Sequence, residues 1–234
     1  MKLAFYPAID LTLFSRMKNF IFLLILVLIS NISFCQSLWK VEDYEKWDHR
    51  NFRQNKSFNE PFSISNPDYL LLDAALFFMT NEERSKVGIP PMRYHKFLEV
   101  AAYNHSLKMA TTGFFSHYNS IDVSRNRPGD RGKIAGITNP SIAENIAYNF
   151  PENGSTYMQV ATLLIKQWMN SPGHKENILS KKGRQMGIGT YYIDNKIYGT
   201  QAFQWFNDIL ENPRGGTDQL PKQKTITDKT ASQN

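Results

Sequence analysis

One cysteine occurs in this sequence, Cys35, and it closes a stretch that reads as an export signal. Residues 20–29 (FIFLLILVLI) are unbroken apolar sequence, Arg16 and Lys18 precede them, and small residues follow at Ser33 and Cys35. A basic region, an apolar run and a small-x-small boundary are the parts of a cleavable signal peptide. Residues 1–35 are read as that signal. Met17 is an alternative start, because MKNFIFLLILVLISNISFC is a compact signal by itself. The run falls short of the ~20 apolar residues that span a bilayer, which disfavours an uncleaved anchor. Phe34 precedes Cys35 where a lipoprotein would carry a small residue, which disfavours a lipoprotein. Cleavage after Cys35 leaves a chain with no thiol in an oxidising compartment. Its fold must then rest on an apolar core, a bound ligand or both. The expected location is secreted, periplasmic or extracellular, with no stable membrane insertion after cleavage.

The 234 residues suffice for one domain with tails. A hydrophobic content of 41% can fill its core. The net charge of +6 is spread along the chain, and no Lys/Arg block alternates with aromatics. That pattern argues against nucleic acid as a partner. A monomer is expected.

Helix breakers divide the rest. Residues 36–66 are polar with scattered aromatics and read as an extended arm packed onto the domain. Asn66-Pro67 reads as an N-cap with proline at the first helical position, and that helix runs to Gly88. After Ile89-Pro90-Pro91, a second helix is expected from Met92 or Arg93 to Thr112. Leu98, Ala101, Ala102, His105 and Met109 form its apolar stripe. Residues 118–140 read as loop with a short helix over Pro128–Ala135, and residues 141–148 are ambiguous. Ser155 or Thr156 caps a third helix with Met158, Ala161, Leu164, Ile165 and Trp168 on its apolar face. Asn170-Ser171-Pro172 breaks it, and Ser171 can cap a short following helix. Residues 186–193 and 196–205 alternate as strands around Asp194-Asn195, a hairpin signal. From Asn207 to Asn234 the chain is polar, rich in Pro and Gly, and expected to be disordered. Helices, a long loop and a late hairpin make an α+β domain.

Of the five histidines, His49 and His95 read as surface residues and His105 as a hydrogen-bonded core residue. His117 and His174 each follow a helix-terminating Gly or Pro-Gly, in turns that direct side chains into clefts. Glu144 is a lone carboxylate between Ala143 and Asn145, and a carboxylate in such a segment is either paired or functional. Two imidazoles and one carboxylate could form an open zinc site or an acid/base pair with an orienting group. Their separations of 27 and 30 residues favour neither. No G-x-S-x-G, P-loop or G-x-G-x-x-G motif is present.

HSLKMATTGFFSH, AENIAY, WMNSPGHKENIL and MGIGTYYIDNKIYGTQAF, in that order, resemble the CAP superfamily (the SCP domain). That superfamily comprises cysteine-rich secretory proteins, antigen 5 and plant pathogenesis-related proteins, and the likeness is to its bacterial secreted branch. It extends over residues 70–206, within an expected domain of 67–206. The resemblance implies an α-β-α sandwich with a small antiparallel sheet, and a cavity lined by two His and two acidic residues. The first His falls on His117, the first Glu on Glu144 and the second His on His174. The second Glu falls on Ser171, a departure that puts any two-carboxylate mechanism in doubt. The family's disulfides are absent as well. Asn145 and Asn177 are expected to tie loop backbone together and Gln201 to reach toward the cavity, with Trp168 and Phe203 in the core.

The functional expectation is a binding module whose His117/Glu144/His174 cavity takes a divalent metal, with Zn2+ the ion these donors suit. The alternatives are a metal-assisted hydrolase of extracellular peptide or cell-wall material, with the same residues as catalytic candidates, and a lipid carrier. The partner is expected to be an extracellular or cell-envelope ligand of unknown identity.

Overall fold

A computed structural model describes residues 37–220. The signal expected over residues 1–35 and the last fourteen positions lie outside the described residues. The helices are α1 (Asp43–Lys46), α2 (Tyr69–Lys86), α3 (Lys96–Thr112), α4 (Pro128–Ala135), α5 (Tyr157–Asn170) and α6 (Pro172–Ile178). The strands are β1 (Arg93–Tyr94), β2 (Ile142–Asn149), β3 (Gly183–Ile193) and β4 (Lys196–Trp205), in the sheet order β1-β3-β4-β2. The expected α-β-α sandwich is present. Its sheet is antiparallel except where the two-residue β1 joins β3 in parallel, so it is mixed.

Side-chain alternation assigns the two faces. Thr190 and Gln201 point to one face, where they bond Asp73 and Thr80 of α2, and α5 packs beside them. Gly187 and Gly189 lie on the other face, under α3. A Cβ at Gly187 would stand 2.1 Å from the Glu99 nitrogen, and one at Gly189 would stand 2.0 Å from the Tyr103 nitrogen. Two glycines therefore let the α3 backbone rest directly on the sheet. The β3–β4 hairpin turns at Asp194 (φ 50°) and Asn195 (φ 62°), the left-handed pair that a two-residue turn requires.

Several boundaries differ from the sequence reading. Asp68, not Asn66, caps α2. Its carboxylate accepts from the Leu71 N–H at 3.2 Å and also holds Ser37 and the Leu38 N–H. The second helix starts at Lys96, because Arg93 and Tyr94 are drawn into the sheet and the His95 ring accepts the Phe97 N–H as N-cap. His95 is consequently buried, 3.3 Å from Glu211, rather than a surface residue. The ambiguous residues 141–148 supply edge strand β2.

The arm is not extended. It coils through α1 and two 3-10 turns, and Trp39, Phe52, Phe58 and Phe62 enter the main core around Phe78. The expected disorder from Asn207 does not hold over residues 207–220. Glu211 bridges Ile137, Leu210 N donates to Asn139 Oδ1, and Asp218 pairs with Arg125.

Candidate functional site

Glu144 lies on β2 opposite Ala202, on the α3 face of the sheet, and is only 8% exposed. A buried carboxylate needs donors, and three elements supply them. Arg131 of α4, itself buried, donates Nη2 to Glu144 Oε2 and to the His117 carbonyl. Its Nη1 holds the Arg125 and Asn126 carbonyls, each at 3.0 Å. His117 donates Nδ1 to Glu144 Oε1 at 2.9 Å. His105 of α3 stands 3.8 Å from the same oxygen and donates Nε2 to the Ser116 carbonyl. His105 is therefore the hydrogen-bonded core histidine expected, with the added role of fixing the chain one residue before His117.

These contacts determine charge. Burial pushes the Glu144 carboxyl up, but the His117 hydrogen bond and the positive Arg131 together hold it below its ordinary range. Glu144 is ionised at neutral pH, so His117 Nδ1 must carry the proton it shares with Oε1. In the neutral ring, Nε2 of His117 is then the acceptor atom. Burial brings His105 down to about 4, so it is neutral.

Asn145 follows Glu144 on β2 and faces the opposite side of the sheet, against Gln201. Its amide donates to Gln201 Oε1 at 2.9 Å and to the His174 carbonyl at 3.0 Å. Gln201 donates onward to Thr80, and Asn177 donates to Asn145 Oδ1 and the Glu144 carbonyl. The asparagines tie backbone together as expected. Gln201, expected to reach toward a cavity, is instead fully buried within this chain of amides. The network docks α6 against the β2 edge, where both sheet faces can be reached.

His174 is thus held through its main chain. Burial lowers the basicity of its ring first and His117 second, which favours the neutral imidazole. Its Nδ1 is buried with no partner among the described residues. Ser171 takes the N-cap position of α6, but its side chain makes no capping bond, contrary to expectation; Pro172 at the first helical position supplies the break. Trp168 and Phe203 are core residues, as expected.

His117 and Glu144 are in direct contact, and His174 is held on α6 through its main-chain carbonyl. A three-ligand cluster does not result. Among the described residues no group of three or more His, Cys, Asp or Glu side chains is placed to hold a metal. The physical reason is Arg131, which occupies Oε2 while His117 occupies Oε1. Arg131 was missed in the sequence. Its only signal was that a lone buried carboxylate requires a cation.

The sequence model of the cysteine-rich secretory protein family, CAP, matches residues 77–206, more than half of the chain. The chain belongs to the CAP family. Two Bacillus subtilis proteins resemble it. The uncharacterized protein YkwD is 29% identical over 153 residues, covering 64% of this chain and 52% of YkwD. The uncharacterized membrane protein YlbC is 28% identical over 125 residues, covering 53% of this chain and 32% of YlbC. The chain thus spans about half the length of these relatives, or less. Among solved structures, an extracellular SCP-domain protein from Bacillus anthracis is 28% identical, with a TM-score of 0.46, covering 59% of this chain and 42% of that one. Among the described residues of this CAP chain, no helix is long and apolar enough to cross a membrane.

Proposed function

We propose that this CAP-family chain is an exported binding module whose ligand is seated on the His117/His174 pair, with a divalent cation of the zinc class as the ligand those donors suit. The carrying observation is the His117–Glu144–Arg131 arrangement. A carboxylate that accepts the Nδ1–H hydrogen bond of one histidine and leaves its Nε2 free is a familiar support for a metal-binding imidazole. Glu144 acts here as the orienting partner, which revises its expected role as a ligand. His174, neutral and half-buried, supplies the second imidazole.

Two imidazoles fill two of zinc's four positions and leave the others to water or to a partner's group. A bound ion would supply Lewis acidity there. His174 is the weaker donor, because its Nδ1 finds no acceptor to orient the ring. Affinity is accordingly expected to be roughly micromolar, below that of closed sites. The hydrolase reading loses support on the same geometry. A general base needs a free carboxylate oxygen near the attacked water, and both Glu144 oxygens are committed.

Calorimetric titration of the purified protein with zinc at neutral pH tests this. Binding should vanish in His174→Ala. In Glu144→Gln, which keeps both imidazoles, it should weaken by about 10- to 100-fold, as loss of an orienting partner does. No heat of binding in the intact protein would overturn the proposal.

A further inference from the structure

A concavity lies away from the histidines and shares no residue with them. It is a groove of about 710 Å³ between the C-terminal end of α2, the β1 edge, the turn into β3 and the segment after β4. That volume is in the range of small-molecule sites. Four cations line it, Arg84, Arg93, Lys181 and Arg184, against one carboxylate, Asp208. Asp208 is already paired with Arg93. Arg84, Lys181 and Arg184 have no acidic partner among the described residues.

Arg84 is the unusual member. It is 1% exposed, and a buried guanidinium ordinarily sits against an acid. Its Nε donates to the Pro90 carbonyl, and its Nη1 to the carbonyls of Ile178 and Ser180. Those three bonds account for its structural work, which is to close the C-terminal end of α6. They involve neutral acceptors, and Nη2 makes no bond to any described residue. Burial lowers its basicity to about 10, so the charge persists at neutral pH without compensation.

The rim carries a second irregularity. Phe206 is 54% exposed and has a left-handed backbone, φ 69°, which is costly for an aromatic residue. Arg184 Nε holds its carbonyl at 3.0 Å, and its N–H donates to the Lys182 carbonyl at 2.9 Å. The chain therefore holds a half-exposed aromatic ring, edge-on to Trp205 and 5.7 Å from the Lys182 ammonium, on the rim of a groove with three uncompensated cations, two of them guanidinium groups.

We infer that this groove is a binding site for a phosphate ester, with the phosphate over Arg84, Lys181 and Arg184 and the esterified group against Phe206. Guanidinium forks match an oxyanion that offers several oxygens and more than one charge. The groove is larger than a phosphate ion, and the ring on its rim gives an apolar or planar substituent a face to lie on.

Phenyl phosphate and inorganic phosphate, titrated into the isotopically labelled full chain and followed by two-dimensional amide NMR, test the assignment. Shifts should gather at residues 181–184 and 206–208. Phenyl phosphate should bind the tighter of the two by roughly tenfold, and a Lys181→Ala/Arg184→Gln variant, changed only at exposed positions, should lose roughly tenfold or more. Phe206→Ser should abolish the preference for the phenyl ester while leaving inorganic phosphate binding in place. Equal affinity for the two probes would identify free phosphate as the ligand and overturn the ester assignment. No shifts with either probe, shifts at other lysines, or unchanged binding in the double variant would overturn the site.

Discussion

Two glutamates are buried against the same helix, and the protein treats them in opposite ways. Glu144 meets Arg131, His117 and His105, and it is held ionised. Glu99, 2% exposed in the first turn of α3, meets only the Tyr94 hydroxyl, which donates to Oε2. Burial raises the Glu99 carboxyl to about 7, against the weaker opposing effect of that hydrogen bond. Asp73 is pushed up as well, by burial first and by the nearby Glu99 second. Depth therefore does not decide the charge of an acid in this core. The presence of a cation within bonding distance does. The charged site gathers the half-exposed His117; among the described residues no cation pairs with Glu99 or Asp73.

The strongest way to break this contrast is to remove the cation. Arg131→Met leaves the buried Glu144 with no permanent cation beside it, and takes the donors of three carbonyls with it. Loss of one partner of a buried pair costs about 3–5 kcal/mol, to be read from urea unfolding midpoints at neutral pH. Adding Glu144→Leu to that variant should recover part of the loss. If Arg131→Met were as stable as the parent, Glu144 would not depend on Arg131 for its charge.

Glu99→Gln sharpens the other side. The folded state keeps the Glu99 proton up to about pH 7, whereas the unfolded chain releases it near its ordinary value of 4.5. Between those values only the unfolded state loses a proton, so stability falls as pH rises, by about 3 kcal/mol in all, and then levels off. The amide should abolish that decline. The variant is expected to gain about 2–3 kcal/mol at about pH 8 and nothing at about pH 4. Glu144 carries the opposite sign: its lowered value contributes stability that is lost as pH falls through it. An unchanged alkaline limb in Glu99→Gln would refute the assignment.

The fold was more legible than the site, and the reason is range. Gly113 with φ 78°, the Asp194-Asn195 turn and the break at Pro172 act through their own backbones, so they could be read from neighbours in sequence. The arm was misread because its aromatics find Phe78, which lies far along the chain, and β2 was ambiguous because an edge strand flanked by helices on both faces shows no clean alternation. In the site, His117 and Glu144 were singled out and do touch. Arg131 was not, because a cation thirteen residues before its acid leaves no periodic trace. The amides of Asn145 and Gln201 and the hydroxyl of Thr80 form a network only once α2 lies on the sheet. Ser171 read as a cap by residue type, yet its hydroxyl makes no capping bond.

His117→Ala gives the smallest effect on bare stability and the finest test of what the charged site is for. The side chain is 43% exposed, so water can replace its bond to Glu144, while Arg131 and His105 remain. Without added metal the loss should be about 0.5–1.5 kcal/mol. With zinc present at about a hundred times its dissociation constant, the parent should gain about 2.7 kcal/mol from binding the folded state alone. The variant should gain nothing. The gap between the two proteins would then widen with zinc concentration for His117→Ala and stay constant for Glu99→Gln, which touches no ligand. A gap that ignored zinc in both would make the two buried acids equally structural and leave His117 as a support for Glu144 alone.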